Sequence, residues 1–323
     1  MIKIGLVGVG HLGKIHLKLL QECSDFEVVG IYDTQAAVAL QVAKEAGVER
    51  FKTYEQLLRA CEAIDVVTPT TTHFKYAAKA IKNNKHVFIE KPVTNTLREG
   101  RELLKMEQEA NKIKVQVGHV ERFNPALLAL KDQELQPHFI EVHRLAKFNP
   151  RGTDVSVVMD LMIHDLDIIL KMVKSPVKKV FANGVSIISS SSDIANARVE
   201  FGNGCVANVT ASRLSIKNMR KMRMFQKNAY VSVDFLEKKT EVVRLSNEEG
   251  SLLSMPIIMA NDTKYLTFDM PKVAENNAIK TELELFASAI INNKEPEVTL
   301  QDGVNALELA YLIMDKINKN LTS

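Results

Sequence analysis

The start of this chain restricts its fold more than any other segment. An apolar run at residues 2–7 leads directly into Gly8-Val9-Gly10-His11-Leu12-Gly13, and a segment of helical period follows. A G-x-G-x-x-G at a strand-to-helix junction has a specific physical use. Gly8 permits the tight turn, Gly10 lets the main chain approach a pyrophosphate, and Gly13 allows the helix to pack closely on the strand. The first N–H groups of the helix then face the anion. Asp33 closes the second apolar run 20 residues beyond Gly13, where a carboxylate can accept both hydroxyls of a ribose. Thr34 and Gln35 come next, with no Arg or Lys beside Asp33 to neutralise a 2′-phosphate, so NAD is expected rather than NADP.

The pattern that follows is that of an α/β chain. Short β-branched runs at 27–32, 64–68, 86–90 and 114–118 alternate with helical segments at 11–23, 35–46, 54–60, 74–83 and 97–111. Such βαβ repetition builds a doubly wound parallel sheet, the Rossmann arrangement. After residue 120 the rhythm changes. A helix is expected to open at Asn124-Pro125, a strand at 139–147 and a long apolar helix at 157–173, reached through the loop 149–152. Strands at 180–188, 195–201, 205–212, 222–225 and 230–235 follow in series, with the Asn203-Gly204 turn among them, and helices at 280–292 and 302–319 close the chain. With 323 residues there is room for two domains at roughly 150 residues each. We expect a Rossmann domain over 1–120 and, over 121–323, an α+β domain with a large antiparallel sheet for substrate binding and self-association.

Composition excludes several classes. Lys and Arg total 42 against 39 Asp and Glu, and a net charge of +3 argues for neither a nucleic-acid nor a membrane-surface partner. Cys23, Cys61 and Cys205 stand far apart without a Cys-x-x-Cys, which fits a reducing cytoplasm and supports neither a disulfide framework nor a thiolate zinc site. The apolar start lacks a small-residue cleavage site and runs into Lys14, so it reads as a strand rather than a signal sequence. No stretch approaches the roughly 20 apolar residues that a membrane span needs.

Three further segments carry chemistry: Thr68-Pro69-Thr70-Thr71-Thr72-His73, Glu90-Lys91-Pro92, and Asp160-Leu161-Met162-Ile163-His164. With the glycine motif, and in this order, they resemble the Gfo/Idh/MocA family, named for glucose-fructose oxidoreductase and inositol dehydrogenase. The resemblance implies that Gly8, Gly10, His11, Leu12, Gly13, Asp33, Thr68, Pro69, Thr71, His73, Glu90 and Lys91 surround the cofactor, although His73 by itself reads as a cap for the next helix. Alcohol oxidation needs a hydride acceptor, a base for the hydroxyl proton and donors that orient the sugar. Lys91 ends a parallel strand, on the edge where doubly wound folds bind ligands, and partial burial beside a cationic nicotinamide would lower its pKa.

Asp160 and His164 are four residues apart, and at 100° per residue they share one stripe with Asp167 and Lys171. That stripe reads equally as the solvated face of an amphipathic helix. The resemblance assigns Asp160 and His164 to catalysis instead: His164 exchanges the hydroxyl proton, Asp160 orients it and Lys91 polarises the oxygen, with the formal base open between His164 and Lys91. No metal site is expected, because hydride transfer to NAD needs none and no further ligands stand at recognisable spacing.

The junction Gly118-His119-Val120-Glu121-Arg122-Phe123-Asn124-Pro125 resembles the family's sugar-nucleotide branch, the UDP-N-acetylglucosamine 3-dehydrogenase type. It places His119, Arg122 and Asn124 near substrate, while Asn124 and Pro125 also read as an N-cap and first helical residue. A basic run, Arg213, Lys217, Arg220, Lys221 and Arg223, suits a diphosphate, with Arg213 and one of Lys217 or Arg220 as its expected contacts. The same run also reads as a solvated loop. The expected activity is oxidation of the third hydroxyl of a UDP-N-acetylhexosamine. An inositol, polyol or free-sugar dehydrogenase and a non-catalytic dinucleotide sensor are the alternatives. An open sheet face in the second domain, around 206–211 and 230–235, points to a homodimer or homotetramer.

Overall fold

The computed structural model describes residues 1–110, 112–149, 155–248, 254–259 and 262–321. The part of the expected loop formed by Pro150, Arg151 and Gly152 lies outside them, as does Asn111. The chain forms two compact units, Met1–Val120 with Asn277–Glu308, and Glu121–Asn276 with Leu309–Ser323.

In the first unit, β1 (Ile2–Val7), β2 (Phe26–Tyr32), β3 (Ala63–Val66), β4 (His86–Glu90) and β5 (Val115–Gly118) form one sheet in the order β2-β1-β3-β4-β5. Every neighbouring pair is parallel. All of β3 and β5 is buried, as a parallel sheet covered on both faces requires. The connections are α1 (His11–Glu22), α2 (Ala36–Ala46), α3 (Tyr54–Ala60), α4 (His73–Lys82) and α5 (Leu97–Glu109). Local chemistry starts two of them. Thr53 closes a capping box with Gln56 at α3, and Thr96 closes one with Glu99 at α5.

A single division after residue 120 does not describe the chain, because Asn277–Glu308 returns to the first unit. Leu283, Phe286 and Ala287 of α8 (Ala278–Ile291) join Ile4, Leu20, Phe26 and Phe88 in one buried cluster. Val117 N–H donates to Val298 O, which ties the segment to β5. The apolar face of α8 needs a partner, and the exposed flank of a Rossmann sheet supplies it. The last helix, α9 (Leu300–Leu321), passes from the first unit into the second.

The second unit holds a nine-stranded sheet: β6 (Phe139–Leu145), β7 (Val177–Val185), β8 (Ile194–Phe201), β9 (Val206–Ser212), β10 (Met219–Gln226), β11 (Ala229–Asp234), β12 (Lys239–Ser246), β13 (Ser254–Met259) and β14 (Asp262–Asp269). Their order is β13-β14-β12-β11-β10-β6-β9-β8-β7. All pairs are antiparallel except β6 with β9. The sequence does not announce β12 to β14. Pro256 argues against a strand at β13, and it is tolerated because β13 is the edge, where a missing N–H breaks no ladder.

Ionic contacts fix the helix at the centre of this unit. Arg122, in a 3-10 turn over Val120–Phe123, donates from Nε and Nη2 to both oxygens of Asp167 on α7 (Ile163–Val173) at 2.6 Å each. Arg144 of β6 donates to both oxygens of Asp165 at 2.7 and 2.8 Å and to Glu121 Oε1 at 3.0 Å. All five side chains are buried. Asp167 is therefore an internal anchor, and the alternative reading of its stripe as a solvated face does not hold there. Asn124 caps α6 (Pro125–Leu128) through Ala126 N–H, as its position before Pro125 predicts.

All three cysteines are buried thiols, and no described helix is long and apolar enough to cross a membrane. Removing one partner of a buried ion pair leaves an uncompensated charge. Asp165→Ala should therefore destabilise the protein by about 3–5 kcal/mol, read as a lowered melting temperature, whereas substituting exposed Glu308, which pairs with Arg101 on the surface, should cost under about 1 kcal/mol.

Candidate active site

The glycine turn is dictated by contact. Gly8 has φ +92°, and a Cβ there would stand 2.4 Å from Val67 O. A Cβ on Gly13 would stand 2.0 Å from Gly8 O, so the start of α1 rests directly on the turn. Gly10 differs, because a Cβ there would meet nothing within 4 Å. Gly10, His11 and Leu12 are exposed, and α1 has neither a side-chain cap nor an acidic residue in its first turn. Its N–H groups thus keep their capacity for an anion.

Asp33 is tied to the same turn. Its Oδ2 accepts Val9 N–H at 2.9 Å and its Oδ1 accepts Gln35 N–H at 2.8 Å. A carboxylate has about four acceptor positions, so it retains two for ribose hydroxyls. Open space beside Gly10, uncapped donors and a fixed carboxylate are what a dinucleotide needs, and these residues fit one.

The strand order reverses between β1 and β3, and the crevice outside their carboxyl ends is where such sheets bind ligands. The loop after β3 forms the other wall. Thr72 Oγ1 lies 2.8 Å from both Thr68 Oγ1 and Pro69 O, while Pro69 and Thr71 are exposed. His73 is 1% exposed and makes no cap. Its ring spans 2.8 Å to Thr68 O and 2.9 Å to Pro92 O, which ties this loop to the segment after β4. Burial holds its pKa below the usual imidazole value despite those bonds to carbonyls.

Lys91 follows β4 on the same sheet edge, is half-buried and precedes Pro92 through a cis peptide bond. Its N–H donates to Glu90 Oε2 at 3.1 Å. Glu90 itself is buried, and its Oε1 stands 3.1 Å from His16 Nε2. His119, at the end of β5, is also buried.

In the second unit Asp160 lies in a π-helical turn, Val158–Met162, and His164 in the first turn of α7. Both are partly buried. The wider turn displaces Asp160 from the regular 100° spacing, and π turns recur at functional sites. His164 directly precedes Asp165, so the Arg144 fork fixes the helix at the residue next to it.

The substrate-side cations have separate partners. Arg122 is committed to Asp167. Arg213 is 5% exposed, donates to Val155 O and stands 3.9 Å from Asp193. Arg220 faces Glu121 at 3.3 Å, Lys221 faces Asp234 at 3.1 Å, and Arg223 faces Glu141 at 3.2 Å. The last two are pairs directly opposite on neighbouring strands. The basic run is thereby largely matched with carboxylates, and Lys217 and Arg220 are its exposed members.

Residues 2–119 match the family described as oxidoreductase family, NAD-binding Rossmann fold, and residues 136–230 match the GFO/IDH/MocA C-terminal domain. UDP-N-acetylglucosamine 3-dehydrogenase of Acidithiobacillus ferrooxidans is 34% identical over 90% of this chain and 88% of its own. The chain belongs to the Gfo/Idh/MocA oxidoreductase family. A solved structure of that Acidithiobacillus enzyme superposes with TM-score 0.88 at 32% identity, covering 98% of this chain and 97% of the other. The fold is shared more widely: scyllo-inositol dehydrogenase of Lactobacillus casei, solved with NAD(H) and scyllo-inositol, has TM-score 0.79 at 20% identity over 99% and 98% of the two chains. Like its Gfo/Idh/MocA relatives, this protein is a dehydrogenase acting on hydroxyl groups.

Sequence reading missed Arg144, Asp165, Glu121 and His16. Two of them left a signal. Arg144 shares the buried register of β6 with Ile140 and Val142, and His16 lies on the buried face of α1 with Gly13, Leu17 and Leu20. A charge on an apolar face implies a buried partner. At the glycine turn, Gly10→Ala should leave the melting temperature within about 2 °C and weaken NADH binding roughly tenfold or more, because the added methyl fills ligand space rather than protein space. Fluorescence titration and a thermal melt measure both.

Proposed function

We propose that this protein is an NAD-dependent dehydrogenase that oxidises the third hydroxyl of a UDP-N-acetylhexosamine to a 3-keto sugar nucleotide. The observation that carries this reading is the nearly full-length relationship to the Acidithiobacillus 3-dehydrogenase, in a chain that keeps Lys91, Asp160 and His164 together with an intact glycine turn. Asp33 without a neighbouring Arg or Lys favours NAD over NADP.

The bound nicotinamide supplies the hydride acceptor. The protein's own groups handle the proton. His164 takes it from the reacting hydroxyl, Asp160 orients and charge-tunes that imidazole, and Lys91 polarises the same oxygen. Asp165 and Asp167 are clamped by arginines, so the helix bearing His164 cannot drift as its charge changes. Of the cations considered for the diphosphate, Lys217 and Arg220 retain exposure, and these two are assigned to it. Arg122 and Arg213 instead build the frame, and Asn124 ties its turn to Phe235 O.

The test is NADH formation followed at 340 nm. UDP-N-acetylglucosamine should be turned over and inositol should not. Lys91→Ala and His164→Ala should each lower kcat by about 10²–10⁴-fold, the contribution expected of a positioned acid or base. Near-normal turnover in both variants, turnover of inositol alone, or binding without turnover would refute the assignment.

A further inference from the structure

Four ionisable side chains lie buried together in the first unit: His16 on α1, Asp65 on β3, Glu90 at the end of β4 and Glu282 on α8. His16, Asp65 and Glu282 are 0% exposed and Glu90 is 8% exposed. Glu90 alone touches the crevice rim, through the Lys91 N–H, and burying four such groups is expensive unless they compensate one another.

Their arrangement is ordered. His16 Nδ1 lies 2.9 Å from Asp65 Oδ2, and Nε2 faces Glu90 Oε1 at 3.1 Å, an ion-pair contact rather than an aligned hydrogen bond. Phe88 packs edge-on against the His16 ring with centroids 5.8 Å apart. Glu90 is caged on its other sides. Its Oε2 accepts Lys91 N–H, and a Cβ on Gly118 would stand 2.9 Å from its Oε1. Glu282 offers a carboxyl oxygen within 4.8 Å of facing atoms of both His16 and Glu90, yet neither of its oxygens has a hydrogen-bond partner among the described residues.

We propose that the buried chain Asp65–His16–Glu90, backed by Glu282, is a positioning device that holds the Glu90 carboxylate on the Lys91 N–H, where its charge biases the protonation of the Lys91 amine. The importance given to Lys91 rests on the proposed function. A cation between two carboxylates leaves one net negative charge, and a further carboxylate within 4.8 Å in a dry interior would be costly. Glu282 is therefore the neutral acid of the set and His16 its cation. Burial raises Asp65 despite the opposing pull of His16, and the geometry of the His16 contact is what assigns it the partner carboxylate. Burial first, then Glu90, raises Glu282 well above the usual carboxylate value. Burial opposes charge on His16, but Asp65 and then Glu90 outweigh it and raise the imidazole well above its ordinary value. Burial also opposes charge on Glu90, and His16 followed by Lys91 more than offsets it. His73, on α4, feels the Glu90 charge as well, but burial outweighs it and lowers the imidazole pKa. A carboxylate beside Lys91 favours the ammonium, so discharging Glu90 must ease loss of its proton.

The test has two parts. In the ¹⁵N-histidine NMR spectrum of the NADH-bound enzyme, His16 should remain doubly protonated well above the pH at which an ordinary histidine loses its proton, in the parent, in Lys91→Ala and in Glu282→Gln alike. A His16 that titrates near 6.5, a midpoint lowered by a unit or more in Glu282→Gln, or a stoichiometric bound metal in the purified enzyme would overturn the proposal. For Glu90→Gln, the kcat profile should move about one unit toward acid with NADH affinity within twofold of the parent. An unmoved profile, in an enzyme that Lys91→Ala inactivates, would overturn it. Should Lys91→Ala keep normal turnover, the function assigned to Lys91 fails while the His16 titration still decides whether the network exists.

Discussion

Everything functional in the first unit depends on five strands running the same way. Parallel pairing sends each strand's carboxyl end to one edge, so the glycine turn after β1, Asp33 after β2, the Thr68-Pro69 loop after β3 and Lys91 after β4 are brought to one rim. An antiparallel sheet would scatter them over both ends. The reversal of order between β1 and β3 then opens the crevice between two of these loops. His73 and Asp33 make the rim rigid by tying one loop to the next.

The second unit solves a different problem, the placement of one imidazole and one carboxylate on a helix. It does so with charge rather than with apolar packing alone. Asp165 and Asp167 lie on either side of Leu166 in α7, and each is gripped by an arginine from a different element, β6 and the 3-10 turn. Such pairs contribute little net stability after desolvation. What they provide is register: a helix held by two bidentate forks has one rotation, and His164 inherits it.

Local signals in the sequence carried much of this and stopped where partners are distant. Strands 2–7 and 86–90 and helix 54–60 appear with the expected bounds, because alternation, glycine and Thr-based caps act within a few residues. The glycine turn and Asp33 were legible for the same reason. The return of Asn277–Glu308 was not, since an amphipathic helix does not say which surface covers its apolar face. Arg213 looked like part of a ligand-binding run and is a buried strut, because charge counted along the chain ignores the carboxylates that topology brings opposite. A solvated face stayed open for the stripe of Asp167 because its partner Arg122 lies 45 residues away.

The central claim is that hydride leaves the third carbon of a sugar nucleotide. UDP-N-acetylglucosamine deuterated at that carbon, incubated with enzyme and NAD, tests it directly. The account predicts a deuterium label at C4 of the reduced nicotinamide, with turnover slowed wherever chemistry limits the rate. Reduced cofactor formed without deuterium, or labelled only from substrate deuterated at another ring carbon, would contradict it.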